Sequence, residues 1–207
     1  KSNVPHYASE ANTQPGMPKY RDLNGDGVID SNDRTVIGNG LPKHTGGFTN
    51  NFNYRDFDLS IFFQWSYGND VLNANRLMFE SSWNRTRELN QYASYAERWT
   101  ESNPTSNIPR ATSSSSNRVF SSRIIEDGSF LRLKTVTLGY TVPRKMISRV
   151  GIEQLRVYFA AQNLFTISNY SGYDPEVSIR ESALTPGLDF SAYPRARSFS
   201  FGINLGF

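Results

Sequence analysis

The run Asp22-Leu23-Asn24-Gly25-Asp26-Gly27-Val28-Ile29-Asp30-Ser31-Asn32-Asp33 places oxygen side chains at its positions 1, 3, 5, 9 and 12, with a glycine at 6 and an apolar residue at 8. A hard cation such as Ca²⁺ collects about six to eight oxygen ligands, and a glycine at the sixth position permits the sharp turn around it. The pattern is that of an EF-hand calcium loop. It assigns Asp22, Asn24, Asp26 and Asp33 as side-chain ligands and the carbonyl of Val28 as a backbone ligand. Asp33 stands where a bidentate glutamate is usual and is one methylene shorter, which implies the smaller loop of dockerin-like repeats. Calcium here is expected to be structural: it pins an exposed loop, with an affinity that can be as weak as about 10⁻⁴ to 10⁻³ M.

No catalytic constellation accompanies this motif. The chain has two histidines, His6 and His44, neither with an Asp or Ser at a telling spacing, and it has no cysteine. His44 reads as a loop residue. The carboxylates of Glu126-Asp127-Gly128 and Asp174-Pro175-Glu176 read as turns, so the chain is not expected to be an enzyme. What remains is aromatic: Trp83, Tyr92, Tyr95, Trp99, Tyr170 and Tyr173 are candidates to stack on sugar rings, to grip a peptide, or to anchor loops to each other or to a capping protein. The net charge of +3 is small for 207 residues, and the basic residues are scattered rather than interleaved with aromatics, which argues against nucleic acid.

Those residues need elements to position them, and the dominant period in the chain is two. Phe57, Leu59, Ile61, Phe63, Trp65 and Tyr67 alternate with Asp58, Ser60, Phe62, Gln64 and Ser66. Upstream, Phe48, Asn50, Phe52 and Tyr54 alternate with Gly47, Thr49, Asn51 and Asn53, and only Arg55 and Asp56 separate the runs, so a tight hairpin is expected. Further runs cover Phe130 to Val142, ended by Pro143, Leu155 to Phe165, and Phe199 to Phe207. The polar face of the last is Ser198, Ser200, Gly202, Asn204 and Gly206. Small neutral residues suit a crowded or watery interior, while aromatics and aliphatics suit lipid. A mean hydropathy of −0.54 does not argue otherwise, because alternating faces cancel in the average. No apolar stretch approaches the length of a transmembrane helix, and no signal peptide is visible.

Short and long connections alternate. About two residues join the first pair of strands and about a dozen, Pro143 to Gln154, join the third and fourth, with a short helix expected near Met146 to Val150. Roughly sixty and thirty residues form the other two links. Barrels of the outer membrane pair short periplasmic turns with long external loops. Five strands cannot close a barrel in lipid without unpaired edges, so the chain is expected to be partial. The reading is all-β: five antiparallel strands of a transmembrane β-barrel, the last five, with residues 1–46 as an extracellular loop bearing the calcium motif. Residues 47–207 then form strands and long external loops near 68–128 and 166–196. Within the longer loop, Leu89, Tyr92, Tyr95, Ala96 and Trp99 recur at helical spacing, so an amphipathic helix is expected over Glu88 to Glu101 and another over Leu72 to Trp83. Ser113 to Ser116 reads as a flexible connector.

Three ordered features resemble SusC/RagA-type TonB-dependent transporters of the Bacteroidetes. The first is the segment 22–30 with Asp33 and Ile37-Gly38, ahead of Gly46-Gly47-Phe48. The second is Phe130-Leu131-Arg132-Leu133-Lys134 through Leu138-Gly139-Tyr140 and Pro143, then Leu155-Arg156-Val157-Tyr158 and Gln162-Asn163-Leu164-Phe165. The third is Tyr173-Asp174-Pro175-Glu176, with Tyr193-Pro194-Arg195 leading into a last strand that ends in Phe207. The resemblance implies a bacterial outer-membrane barrel of about 22 strands with a plugged lumen. It implies as partners the remainder of the barrel and plug, a SusD/RagB-like surface lipoprotein, TonB acting through the upstream plug, and a glycan or peptide substrate. The alternative is a secreted soluble β-sandwich, a binding or adhesion module with a calcium loop. That reading needs a second apolar sheet to cover Phe57, Leu59, Ile61, Phe63 and Trp65.

Overall fold

The computed structural model describes residues 6–7, 13–81, 90–112, 119–148, 151–178 and 185–207. In chain order the strands are β1 (His6–Tyr7), β2 (Val28–Ile29), β3 (His44–Tyr54), β4 (Phe57–Tyr67), β5 (Asp70–Asn73), β6 (Ile125–Asp127), β7 (Phe130–Thr141), β8 (Gln154–Ser168), β9 (Leu188–Asp189) and β10 (Ser198–Gly206). The α-helices are α1 (Ala74–Phe79) and α2 (Arg144–Ile147). The chain divides into two compact units, one of residues 1–39, 72–126 and 188–191, the other of 40–71, 127–187 and 192–207.

The second unit is built on one antiparallel sheet of order β10-β8-β7-β4-β3. These are the five strands that the alternation predicts, with β3 and β8 extending beyond the expected runs and the others matching to within a residue. The β3–β4 hairpin turns on Arg55 and Asp56 with Tyr54 opposite Phe57. Arg55 takes the left-handed conformation (φ 54°) that so short a loop requires, and its guanidinium lies 5.3 Å from the Tyr54 ring centre.

Register lines the apolar residues up across the strands. Phe52, Leu59, Leu138, Phe159 and Phe201 form one row; Tyr54, Phe57, Tyr140, Val157 and Ile203 form the next. Rings meet across neighbouring strands, Phe48 with Phe63 at 4.8 Å and Phe57 with Tyr140 at 4.6 Å. Yet the face is open to its surroundings: Phe52, Phe57, Leu138, Phe199, Phe201, Ile203 and Leu205 are all exposed. A β-sandwich would bury them, and among the described residues no second sheet does. Eleven residues of β4 at about 3.3 Å each, tilted as barrel strands are, give an apolar band roughly 25 Å tall, the height a bilayer core asks of a barrel.

On the opposite face, volume alternates across the strands. Asp58, Gly139, Tyr158 and Gly202 share one row. Arg156, one step along β8, reaches over Gly139 to Asp58 in a two-pronged ion pair, with Nε–Oδ1 3.0 Å and Nη2–Oδ2 2.6 Å. A methyl group on Gly139 would fall on these side chains, and one on Gly202 would fall on the Tyr158 ring.

In the first unit β1 and β2 pair in parallel, and Leu72 and Asn73 of β5 pair in parallel with Leu188 and Asp189 of β9. The helix expected over Leu72 to Trp83 is confined to Ala74–Phe79, because Leu72 and Asn73 pair with Leu188 and Asp189 instead. The helix expected over Glu88 to Glu101 is, in its described part, a single 3₁₀ turn, Ala93–Glu97. Its backbone donors are claimed from elsewhere: Tyr92 N–H bonds to the Phe79 carbonyl and Trp99 N–H to that of Ile108. Ser113 to Ser116 lie outside the described residues, and the short helix near Met146 is α2. Among the described residues no helix is long and apolar enough to cross a membrane.

Replacing Gly139 by Val should expel the Arg156 guanidinium from Asp58 and cost about 1–3 kcal/mol. In the intact protein the expected readout is earlier loss of the compact, heat-modifiable band on electrophoresis, with Ser60→Val, on the same face of β4, as a comparator.

Candidate functional site

The loop 22–33 is a ladder of side chain to backbone hydrogen bonds. Asp22 accepts from Gly25 N (2.6 Å) and Gly27 N (2.8 Å), Asn24 from Asp26 N (3.1 Å), and Asp26 from Val28 N (2.8 Å). Asp33 closes it, its two oxygens accepting from Leu23 N (2.7 Å) and Asp30 N (2.8 Å). Those amides hold the Asp33 carboxyl below the usual carboxylate range, Asp30 contributing most and Leu23 next. Gly25 and Gly27 have φ of 79° and 85°, a conformation that a β-carbon disfavours. The donor chemistry and the turn suit a hard cation. The convergence does not yet: among the described residues no three His, Cys, Asp or Glu side chains draw together as a metal group.

The aromatic candidates separate by burial. Tyr95 and Tyr170 are core residues, 6% and 8% exposed, so neither is free to meet a ligand. Trp99 is half-buried, with Gly16 against its indole and the Arg110 guanidinium 5.5 Å from its ring centre. It anchors a loop. Tyr92 is exposed and packs against Phe79 at 5.2 Å, and Trp83 lies outside the described residues. Among the described members of the set Tyr173 is the most exposed, at 84%. His44 is not a loop residue but the first residue of β3; its Nδ1 accepts from Trp65 Nε1 at 3.1 Å, and its ring stacks on Tyr67.

A densely bonded polar cluster in the second unit is one that sequence reasoning left unassigned. Arg132, 2% exposed, sits on the polar face of β7. Its Nε donates to Thr166 Oγ1 of β8 (3.0 Å), Nη1 to Glu176 (3.0 Å) and Nη2 to Asp174. Asp174 also accepts from the backbone N–H of Glu176 (2.9 Å) and of Arg195 (3.1 Å). Glu176 lies 3.1 Å from Arg195 Nε and 3.9 Å from Lys134 Nζ. The cluster ties two strands to both limbs of the segment between β8 and β10. Lys134 joins because it is the extra residue of a bulge: Leu133 pairs with Phe63 and Phe165, Thr135 with Phe62 and Gln162. The hint in the sequence is a charge between two leucines in an apolar strand. Its partners, some forty residues on, leave no periodic trace. Beside the cluster, Thr45, Gln64, Ser66, Asn69, Phe130 and Glu176 line an open cavity of about 340 Å³.

The first unit holds a comparable knot. Glu80, 8% exposed, binds Arg76 (3.1 Å) and Arg123, and Arg76 reaches Glu126 (3.4 Å). Burial pushes the Arg123 guanidinium below its ordinary value, against the pull of Glu80.

No protein-family model matches the chain. It is 34% identical over 200 residues to a TonB-dependent receptor of Formosa agariphila, covering 94% of this chain and 19% of that protein. A second receptor of that organism is 37% identical over 197 residues, with coverages of 93% and 20%. The TonB-dependent receptor SusC of Bacteroides thetaiotaomicron is 30% identical over 200 residues, with 96% and 18% covered. Among solved structures, the RagAB peptide importer in its closed-closed state superposes with a TM-score of 0.74 at 26% identity, over 90% of this chain and 20% of that one. The RagAB peptide transporter gives 0.73 at 27%, over 86% and 19%. The chain spans about a fifth of the length of the relatives it matches.

Two outcomes follow from this geometry. Arg132→Met leaves the buried Asp174 carboxylate without its cation and should cost about 3–5 kcal/mol, seen as new tryptic cleavage after Arg195 in the intact protein. The depressed Asp33 carboxyl stabilises its loop fully above the ordinary carboxylate pKa and loses that contribution as pH falls through its folded value. Protection of the Leu23 and Asp30 amides, corrected for intrinsic exchange, should therefore be flat down to about pH 5 and fall below about pH 4.

Proposed function

This chain is a segment of a TonB-dependent receptor of the SusC/RagA type, and from that premise we propose that it forms part of an outer-membrane barrel importing glycans or peptides. The observation that carries the reading is the exposed apolar face of the five-stranded sheet, a surface that lipid satisfies and water does not. Behind it, the polar face with Asp58, Arg156 and Arg132 becomes part of the barrel interior, and β3 and β10 become the edges that the remainder of the barrel must pair. The full assembly includes a plug, a SusD/RagB-like surface lipoprotein and energy supplied by TonB. A peptide cargo is favoured by the likeness to the RagAB structures; a glycan is the second reading, favoured by the likeness to SusC. Tyr173 is the most exposed ligand-contact candidate among the described residues.

Native membranes extracted in mild detergent should yield this sequence within a much larger polypeptide, together with a surface lipoprotein. Deleting the gene should abolish growth on one class, peptide or glycan, and leave the other intact. Recovery as a folded soluble monomer would sink the proposal.

We also propose that the loop 22–33 closes on Ca²⁺ through Asp22, Asn24, Asp26, Asp33 and the Val28 carbonyl. The order of its oxygen donors and its two left-handed glycines support this. Calorimetric titration of the intact receptor should show one Ca²⁺ site with a midpoint of about 10⁻⁴ to 10⁻³ M, lost in Asp22→Ala. An unchanged titration in that variant would remove the loop as the site.

A further inference from the structure

We propose that Arg55, with Arg144 and Lys145 of the neighbouring turn, forms a rim that binds the phosphate headgroups of the periplasmic leaflet. This rests on the barrel reading and adds a lipid of stated chemistry to it. The starting observation is a local choice that the backbone does not favour. A two-residue hairpin needs a left-handed residue, and asparagine or glycine takes that conformation most easily. Here the residue is arginine, with φ of 54°. A side chain kept against backbone preference points to a use for that side chain. Its guanidinium lies 5.3 Å from the Tyr54 ring centre, and Tyr54 belongs to the outward row with Phe57, Tyr140, Val157 and Ile203. Arg55 is thereby held on the outward side of the sheet. A strand added beside β3 would lie in the plane of the sheet and leave that side uncovered.

Depth and charge then select the ligand. The row of Tyr54 is the last to take a residue from all five strands, and tyrosine rings at the end of an apolar band sit at headgroup level. A cation one residue further along stands at the depth of lipid phosphate, which a guanidinium holds through paired hydrogen bonds. Among the described residues no carboxylate forms an ion pair with Arg55. The adjoining turn repeats the charge, and it joins β7 and β8, both interior strands of the sheet. Thr141 N–H bonds to the Asp56 carbonyl at 2.8 Å, which keeps the backbones of Arg55 and Arg144 within about 20 Å of each other. Arg144 lies 3.8 Å from Glu153, but both side chains are largely exposed, and such a pair is weak. Lys145 has no ion-pair partner among the described residues. Together the segments 55–56 and 143–154 carry four basic and two acidic residues, a balance that suits an anionic headgroup.

The test incubates the intact, detergent-purified receptor with phosphatidylglycerol or with phosphatidylcholine of the same acyl chains, and counts retained lipid by native mass spectrometry. Phosphatidylglycerol, whose phosphate has no cation of its own beside it, should be retained about tenfold more strongly. Arg55→Asn should cut that preference about fivefold. Because asparagine suits the turn, the same variant in detergent should keep its compact, heat-modifiable band to at least the wild-type temperature. Arg55→Lys, which keeps the charge but not the planar fork, should fall between the two. Arg144→Gln combined with Lys145→Gln should remove most of the preference that Arg55→Asn leaves. Equal retention of the two lipids, or a preference unchanged in the Arg55→Asn and Arg144→Gln/Lys145→Gln receptors, overturns the inference and leaves the barrel reading standing. An Arg55→Asn receptor that unfolds earlier in detergent makes Arg55 a turn residue only, and overturns the inference too. A wild-type receptor that retains neither lipid and gives no heat-modifiable band overturns both.

Discussion

A strand can offer only every second side chain to one face, and the second unit is organised by keeping that count intact across five strands. β7 is where the count fails. Val136, Leu138 and Tyr140 face outward with one parity, Leu131 and Leu133 with the other. A bulge at Lys134 absorbs the odd residue. β8 answers with two extra residues, Asn163 and Leu164, and so keeps its own parity, with Asn163 in the left-handed conformation. Without the bulge one half of β7 would turn leucines inward and an arginine into lipid.

The same bulge delivers a second result. It sets Arg132 and Lys134 side by side on the polar face at the end of the strand, where a buried cation is costly unless paired. The Tyr-Asp-Pro-Glu segment pairs it, and so the segment after β8 is folded back onto the sheet by electrostatics together with the burial of Tyr170 and Val177. Two motifs that stand forty residues apart in the chain are thus one structural object. The membrane-facing side and the loop base are consequences of a single inserted residue.

Periodicity made the five strands legible, because apolar alternation is a local property of each. It could not reveal the pairing register, the parity change at Lys134, or the ion cluster, all of which depend on partners distant in the chain. The helical spacing of Leu89, Tyr92, Tyr95 and Trp99 misled for the same reason: Phe79 and Ile108 claim the backbone donors that a helix would need. Among the aromatic candidates, residue type could not separate Tyr170, in the core, from Tyr173, in the open. The oxygen-rich loop was legible as a local turn with the donor order of a calcium loop, but not the hydrogen bonds its carboxylates make to its own amides.

The row of Asp58, Gly139, Tyr158 and Gly202 bears on how such a sheet is assembled. Hydrogen bonding along a strand is nearly indifferent to a slip of two residues, since such a slip keeps every side chain on its proper face. Side-chain volume is not indifferent. Slipped by two, Tyr158 would meet Ser200 or Asn204 in place of Gly202, and Arg156 would cross Thr137 or Thr141 rather than Gly139. The glycines therefore act as a ruler: each newly added strand is proofread against its neighbour by whether the large residue finds its gap.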